Sequence, residues 1–207
     1  MVIRYACLEI LAQEVGDNLV LHTVGGTANE WNHLRPGPAN MWCSVGSVSS
    51  VALGLSMALP HRKTVALDSD GGLLLNLSVL AELGTVQPAN LTLIVLDNQV
   101  YESTGGQPSA TSSGVDLAGM ARCAGVEKAV TVRSAEEFQK AVRDALGDSA
   151  FHFIVAKLEA GAKKGVLAIE LSGVEMKFRF VRHIEQSEGL RIFSPPQQNI
   201  PEHLIRD

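Results

Sequence analysis

The sequence predicts an α/β fold: a doubly wound, mainly parallel sheet with helices on both faces. Two observations carry this. Short apolar runs of the kind found in buried strands alternate with helix-like stretches from the start of the chain, and glycines and acidic residues gather just after those runs. Size agrees, since 207 residues suit one sizeable domain that buries well over half of its unfolded surface.

Residues 3 to 15 have helical character. Leu19 to Val24 reads as a short buried strand running out into Gly25-Gly26-Thr27, where glycine permits backbone angles closed to other residues. Residues 47 to 58 are small and apolar, which predicts a closely packed helix stopped at Pro60, and Thr64 to Leu67 is the next strand. After Gly71-Gly72, the residues Leu73, Leu77, Leu80 and Gly84 fall at helical spacing, while Leu74, Val79 and Leu83 extend the apolar character around the same helix. Leu91 to Leu96 is the most hydrophobic strand and ends at Asp97-Asn98. Ser134-Ala135-Glu136-Glu137 has the S-x-x-E form of a capping box and opens a helix whose Phe138, Ala141, Val142 and Ala145 share a face. Phe151 to Ala156 closes the alternating unit as a strand.

Residues 1–161 are therefore expected to form the main domain. Beyond about Gly161 the rhythm changes to a charged tail, Val174 to Glu185, followed by Pro195-Pro196. Residues 162–207 are expected to be a C-terminal extension packing on that domain or on a partner subunit. No internal repeat is present.

Composition narrows the function classes. The chain is 46% apolar and 19% charged, ordinary for a globular protein, and its formal net charge is -5 with scattered basic residues, which argues against nucleic acid as a partner. Cys7, Cys43 and Cys123 are odd in number, far apart and in no C-x-x-C pair, which argues against a disulfide framework or a zinc site and suits a reducing cytoplasm. Arg4, Glu9, Glu14 and Asp17 interrupt any signal-peptide core, and no run approaches the ~20 apolar residues that span a bilayer. A cytoplasmic protein with no membrane association is expected.

Chemistry concentrates in two loops. In open parallel sheets, ligands bind beyond the carboxyl ends of the strands, where loops converge and helix N-termini present amides. Asp68-Ser69-Asp70-Gly71-Gly72 follows one strand, and Asp97-Asn98-Gln99-Val100-Tyr101 follows the next strong one. Asp70 offers a charged oxygen and Asn98 a neutral one, the donors a hard cation such as magnesium prefers. Gly71 and Gly72 would let main-chain amides approach phosphate oxygens without a side chain in the way. Taken singly, each loop also fits an ordinary turn or cap; their joint occurrence across one strand-helix-strand unit carries the weight.

The run from Asp68 to Gln107, with Asn76-Leu77, Pro88-Ala89-Asn90-Leu91, Ile94-Val95-Leu96-Asp97-Asn98 and Tyr101-Glu102-Ser103-Thr104-Gly105-Gly106-Gln107, resembles the diphosphate-binding domain of thiamine-diphosphate enzymes. The likeness is greatest to phosphonopyruvate and sulfopyruvate decarboxylases. It extends to Met41-Trp42-Cys43-Ser44-Val45-Gly46, to Ser49 through Gly54, and to the tail from Lys177 to Glu185. It implies two cofactors, thiamine diphosphate and Mg2+. Asp70 and Asn98 would be side-chain metal ligands and Val100 a ligand through its carbonyl, while amides of Ser69, Gly71 and Gly72 would face the diphosphate. Cys43, through its carbonyl, together with Ser44, Val45 and Tyr101 would line the cofactor, with Val45 propping its bent shape. The cofactor would then act as electron sink in decarboxylation of a 3-substituted 2-oxo acid.

The resemblance also implies a pyrimidine-binding domain bearing an activating glutamate. A separate α subunit is expected to supply it, with the site at the subunit boundary. Carboligation, or a non-catalytic regulatory role, are the alternative fates of such a subunit. The family usually has Gly where Ser69 and Cys43 stand and often a larger residue at Val45; a positive φ at Ser69 would strain the chain by ~1 kcal/mol or more.

Other positions have a functional and a plain reading. Gly26 and Thr27 would line the substrate side, or form an ordinary strand-helix turn with Thr27 as cap. Ser103, Thr104 and Gln107 would contact cofactor or substrate, or form a turn. Lys177, Arg179, Arg182 and His183 read as a solvated or interface helix, with attraction of an anionic substrate or partner as the alternative. His22 reads as a buried strand residue, His33, His61, His152 and His203 stand in no motif, and Cys123 reads as core.

Overall fold

The computed structural model describes residues 2–193, so Pro195-Pro196 and His203 lie outside the described residues. In chain order the elements are β1 (Val2–Ile3), α1 (Arg4–Glu14), β2 (Leu19–His22), α2 (Gly26–Leu34), β3 (Asn40–Trp42), α3 (Val48–Ala58), β4 (Thr64–Ser69), α4 (Asp70–Leu75), α5 (Val79–Val86), β5 (Leu91–Asp97), β6 (Val100–Tyr101), β7 (Gln107–Pro108), α6 (Leu117–Cys123), β8 (Lys128–Val132), α7 (Ala135–Gly147), β9 (His152–Glu159) and α8 (Gly173–Glu188). The main sheet is parallel throughout in the order β1-β9-β5-β4-β2-β3. β8 also pairs with β9, along His152 to Ala156, whereas β1 pairs farther on, at Leu158 and Glu159.

Alternating side chains divide the core between the two faces of the sheet. On β5, Leu91, Leu93 and Val95 join one cluster with residues of α3, α5, α6 and α8; Ile94 and Leu96 join the other with α1, α2 and α7. Every β5 residue is buried, which is why this central parallel strand reads as an unbroken apolar run and not as an alternating one.

Several boundaries differ from expectation for local reasons. The helix expected to run from Gly71 past Gly84 is two helices, broken at Asn76–Ser78, where the Asn76 side-chain amide donates to the Gly46 carbonyl (3.0 Å) and Ser50 Oγ (2.9 Å). Leu73, Leu80 and Leu83 enter the same core across that break, so the apolar spacing conceals it. β4 extends to Ser69, and Asp70-Gly71-Gly72 forms the first turn of α4 instead of a loop. β2 ends at His22, two residues early. β1 is too short to show a period. β8 has mixed burial, with Lys128 and Val130 exposed and Ala129 and Val132 inside.

At α7 only half of the capping box forms: Ser134 Oγ accepts the Glu137 amide (3.2 Å), but the Glu137 carboxylate accepts the Arg133 amide (2.7 Å). The complete box is at α8, between Ser172 and Glu175. There Met176, Phe180 and Ile184, at i, i+4 and i+8, are buried, and Gly173 approaches Trp42 so closely that a Cβ would lie 2.7 Å from its ring. The tail thus packs against β3, and Arg179 donates to the Gly37 carbonyl (3.0 Å). Cys123 is exposed at the end of α6, not core; Leu117, Ala118 and Ala121 take the buried face. Among the described residues no helix is long and apolar enough to cross a membrane.

Candidate functional site

The carboxyl ends of β2, β4 and β5 open onto a shallow cleft lined by residues from both predicted loops. Val45, Ser69, Gly71, Gly72, Asn98, Val100 and Tyr101 reach it, as do Gly26 and Thr27 from the start of α2. Cys43 and Asp70 are buried beside it and Ser44 is exposed; none of the three lines it. Parallel register explains the convergence: Ser69 pairs with Leu96 and Asp97 with Lys157, so β4 and β5 deliver Asp70 and Asn98 from adjacent strand ends.

Asp70 is fully buried. Its Oδ2 accepts a hydrogen bond from Ser109 Oγ (2.5 Å) and lies 3.2 Å from Thr111 Oγ1, whereas its Oδ1 has no hydrogen-bond partner among the described residues. Burial pushes this carboxyl above the usual carboxylate range; the Ser109 hydroxyl opposes the rise and the nearby Asp97 adds to it. A bare carboxylate oxygen in a desolvated place is expensive unless a cation meets it or the carboxyl takes up a proton. Among the described residues no group of three or more His, Cys, Asp or Glu is placed to hold a metal. The donors on offer are one carboxylate, the Asn98 amide oxygen and a main-chain carbonyl, an all-oxygen set suited to magnesium.

The second loop is shaped by Gln99, whose φ of 66° lies in the left-handed region. This turn lets the Val100 amide donate to Asn98 Oδ1 (3.2 Å) and the Gln99 amide to Asp97 Oδ1 (3.2 Å), folding β6 back toward β7. Tyr101 lies over the glycine turn: a Cβ on Gly71 would be 2.4 Å from its ring, and one on Gly72 would be 2.4 Å from Asp68 Oδ1. Neither glycine has a positive φ, so here they are required by close approach.

Ser69 has φ -108° and carries no backbone strain. Its hydroxyl accepts the Gly72 amide (3.0 Å), and its own amide donates to Asp68 Oδ1 (2.9 Å), so two of the three amides expected to face a diphosphate are engaged within the turn. Asp68 is in turn held by Ser49 Oγ (2.6 Å). Around the 41–46 segment, Val45 is 43% exposed at the rim, the Ser44 carbonyl accepts the Ser47 amide (3.0 Å), and the Cys43 amide donates to the His22 carbonyl (2.8 Å). Burial pushes the Cys43 thiol up to about 12, which removes it as a nucleophile at neutral pH.

The start of α2 is capped by no side chain; Gly25 is the N-cap residue, with φ 76°, and Thr27 lies within the helix, so it is not the cap. Gly25 and Gly26 leave room for neighbours that sequence reading missed. A Cβ on Gly25 would lie 2.7 Å from Ser103 Oγ, and one on Gly26 would lie 2.2 Å from the Arg4 guanidinium. Arg4 is buried and joined to Glu30 (2.9 Å) and Glu102 (2.7 Å), with a further bond to the Gly161 carbonyl (3.2 Å). This cluster ties α1, α2, the turn after β6 and the chain after β9 around the cleft. Ser109, Thr111 and Lys157 were equally illegible in sequence, because nothing local marks residues that act from 39, 41 and 60 positions away.

His22 is buried at the end of β2. His61 and His152 find carboxylate partners in Glu188 (2.5 Å) and Asp148 (3.0 Å), away from the cleft lining.

Residues 26–156, more than half of the chain, match the family model for the thiamine pyrophosphate enzyme, C-terminal TPP binding domain. The chain is 30% identical over 187 residues to sulfopyruvate decarboxylase subunit beta of Methanocaldococcus jannaschii, a match covering 89% of this chain and 98% of that protein. It is 32% identical over 180 residues to phosphonopyruvate decarboxylase of Streptomyces viridochromogenes, covering 86% of this chain and 45% of that longer protein. Among solved structures, benzoylformate decarboxylase from Polynucleobacter necessarius superimposes with a TM-score of 0.61 at 18% identity, over 77% of this chain and 34% of that one. That last likeness concerns the fold alone.

Proposed function

The chain belongs to the thiamine pyrophosphate enzymes, as their C-terminal TPP-binding domain, and from that premise we propose that it is the β-type subunit of a cytoplasmic, Mg2+-dependent decarboxylase of a 3-substituted pyruvate, of the sulfopyruvate or phosphonopyruvate kind. The observation that carries the reading is Asp70 Oδ1, a buried carboxylate oxygen with no hydrogen-bond partner among the described residues, at the end of β4 and beside Asn98 at the end of β5. The donors present fit the cation of the cofactor. Asp70, Asn98 and the Val100 carbonyl would hold Mg2+. Ser69, Gly71 and Gly72 would hold the diphosphate; Cys43, Ser44, Val45 and Tyr101 would line the rest of the cofactor; and Gly26 and Thr27 would face the substrate. When bound, the thiazolium ring supplies the electron sink for the carbon–carbon bond that breaks.

A separate pyrimidine-binding α subunit would complete the site, a reading supported by the name "subunit beta" of a relative matched over nearly its whole length. Residues 1–161 would form the cofactor-binding unit, and 162–207 an extension packed on it.

The test is co-purification with a pyrimidine-binding subunit, titration with thiamine diphosphate and Mg2+, and carbon dioxide release from a panel of 2-oxo acids. Saturable binding with turnover of a sulfonated or phosphonated pyruvate is expected. Cofactor binding that survives both Asp70→Ala and Asn98→Ala would sink the metal assignment. A saturated site that turns over no 2-oxo acid would replace the decarboxylase with a regulatory subunit.

A further inference from the structure

Behind Asp70 lies a buried polar chain that the cofactor assignment does not use. Ser109 Oγ and Thr111 Oγ1 both reach Asp70 Oδ2, and they lie 2.8 Å from each other. Thr111 Oγ1 also reaches Asp97 Oδ1 (2.7 Å), and Asp97 Oδ2 is paired with the Lys157 ammonium. All but Lys157 are buried, and the Lys157 side chain is only 12% exposed.

Proton counting shows what the chain does. Two carboxylates face each other across two hydroxyls, and each hydroxyl has one proton to give. In the arrangement with the shortest carboxylate contacts Ser109 donates to Asp70 (2.5 Å) and Thr111 to Asp97 (2.7 Å), so Thr111 Oγ1 packs against Ser109 Oγ and Asp70 Oδ2 without giving either a proton. Lys157 pairs with Asp97 at the far end of this polar chain. Both hydroxyl oxygens lie within 3.2 Å of one oxygen of Asp70, Oδ2, and the short bond from Ser109 falls on it. The other oxygen, Oδ1, has no hydrogen-bond partner within bonding geometry among the described residues, although the Gly71 amide also favours the charged carboxyl.

We infer that Ser109 and Thr111, backed by the Asp97–Lys157 pair, are positioning residues that pin Asp70 by Oδ2 and thereby present Oδ1 alone to a divalent cation. The inference rests on the metal reading proposed above. Partners that orient a ligating carboxylate commonly change metal affinity by about 10–100-fold when removed. Neither hydroxyl touches the cation in this arrangement, so both act through the rotamer of Asp70.

Mn2+ serves as the probe. The chain co-purified with a pyrimidine-binding subunit is titrated with it in the presence of thiamine diphosphate, bound Mn2+ is followed by the loss of the free-ion EPR signal relative to a protein-free Mn2+–thiamine diphosphate control, and thermal unfolding is recorded in parallel. Ser109→Ala and Thr111→Val are each expected to weaken Mn2+ binding by about tenfold, whereas Thr111→Ser, which restores the hydroxyl, stays within about threefold of the parent. A purely structural role would lower the unfolding temperature of Thr111→Val and leave the affinity of the folded protein unchanged. Folded Ser109→Ala and Thr111→Val that bind Mn2+ within about twofold of the parent overturn the inference, provided Asp70→Ala has lost binding. Mn2+ binding that persists in Asp70→Ala instead overturns the metal reading beneath it. Should Thr111→Val not fold, Ser109→Ala against Ser109→Thr decides the question by the same criterion.

Discussion

His22 makes the stability of this protein depend on pH in a way that can be worked out from its surroundings. Its Nδ1 lies 3.1 Å from the Thr23 carbonyl, so Nδ1 carries the proton and donates, and Nε2 is buried with no hydrogen-bond partner among the described residues. A second proton would create a charge with nowhere to place its new N–H. Burial accordingly drives the pKa down to about 4, with the Thr23 carbonyl opposing the shift. In the unfolded chain the imidazole titrates near about 6.5. Between those values the unfolded state binds the proton and the folded state does not, so the contribution of His22 is fully present above the unfolded pKa and is lost as pH falls through the folded one. At about pH 5 the loss is about 2 kcal/mol, approaching about 3 kcal/mol below pH 4. Asp68 and Asp70, whose carboxyls burial raises, act in the opposite sense: their contribution is present at low pH and lost as pH rises through their folded values. Comparison with His22→Asn removes that background, since this variant keeps a donor for the Thr23 carbonyl and loses the titration. Urea unfolding from pH 4 to 8 should show wild-type stability falling away from that of the variant below about pH 6.5. Parallel curves would refute the reasoning.

Three further outcomes follow from named contacts. Gly84→Ala should destabilise the chain by about 3 kcal/mol or more in denaturant unfolding, because its Cβ would lie 1.7 Å from the Ala124 carbonyl, and main chain cannot swing aside as a side chain can. Arg4→Met should lower stability by about 3–5 kcal/mol, since it strands the buried Glu30 carboxylate; near-normal denaturation midpoints would mean that the cluster is not a closed ion pair. Asp70→Asn should unfold at a higher temperature than the parent without divalent cation, because a buried charge with one bare oxygen is gone, yet lose the further rise that Mg2+ with thiamine diphosphate gives the parent. Retention of that rise in calorimetry would count against Asp70 as a ligand.

The alternation of strands and helices, the depth of β5 and the two chemical loops could be read from sequence, because burial on both faces of a parallel sheet writes itself into short apolar runs, and ligand loops follow those runs directly. The helix break at Asn76 could not, since its cause is a side chain reaching Gly46 and Ser50 on another segment. Nor could the half-formed capping box, where Glu137 prefers the Arg133 amide, or the exposure of Cys123 at a helix end. The site divides in the same way. Asp70, Asn98 and the glycines belong to local motifs, and local chemistry identifies such residues. The clasp of Arg4 with Glu30 and Glu102 and the hydroxyls of Ser109 and Thr111 join positions 26 to 98 residues apart, and only the fold brings them together. Sequence by itself determined that Asp70 and Asn98 offer oxygen donors after neighbouring strands; tertiary structure decided which of Asp70's two oxygens is engaged, because that depends on hydroxyls carried in from a distant turn.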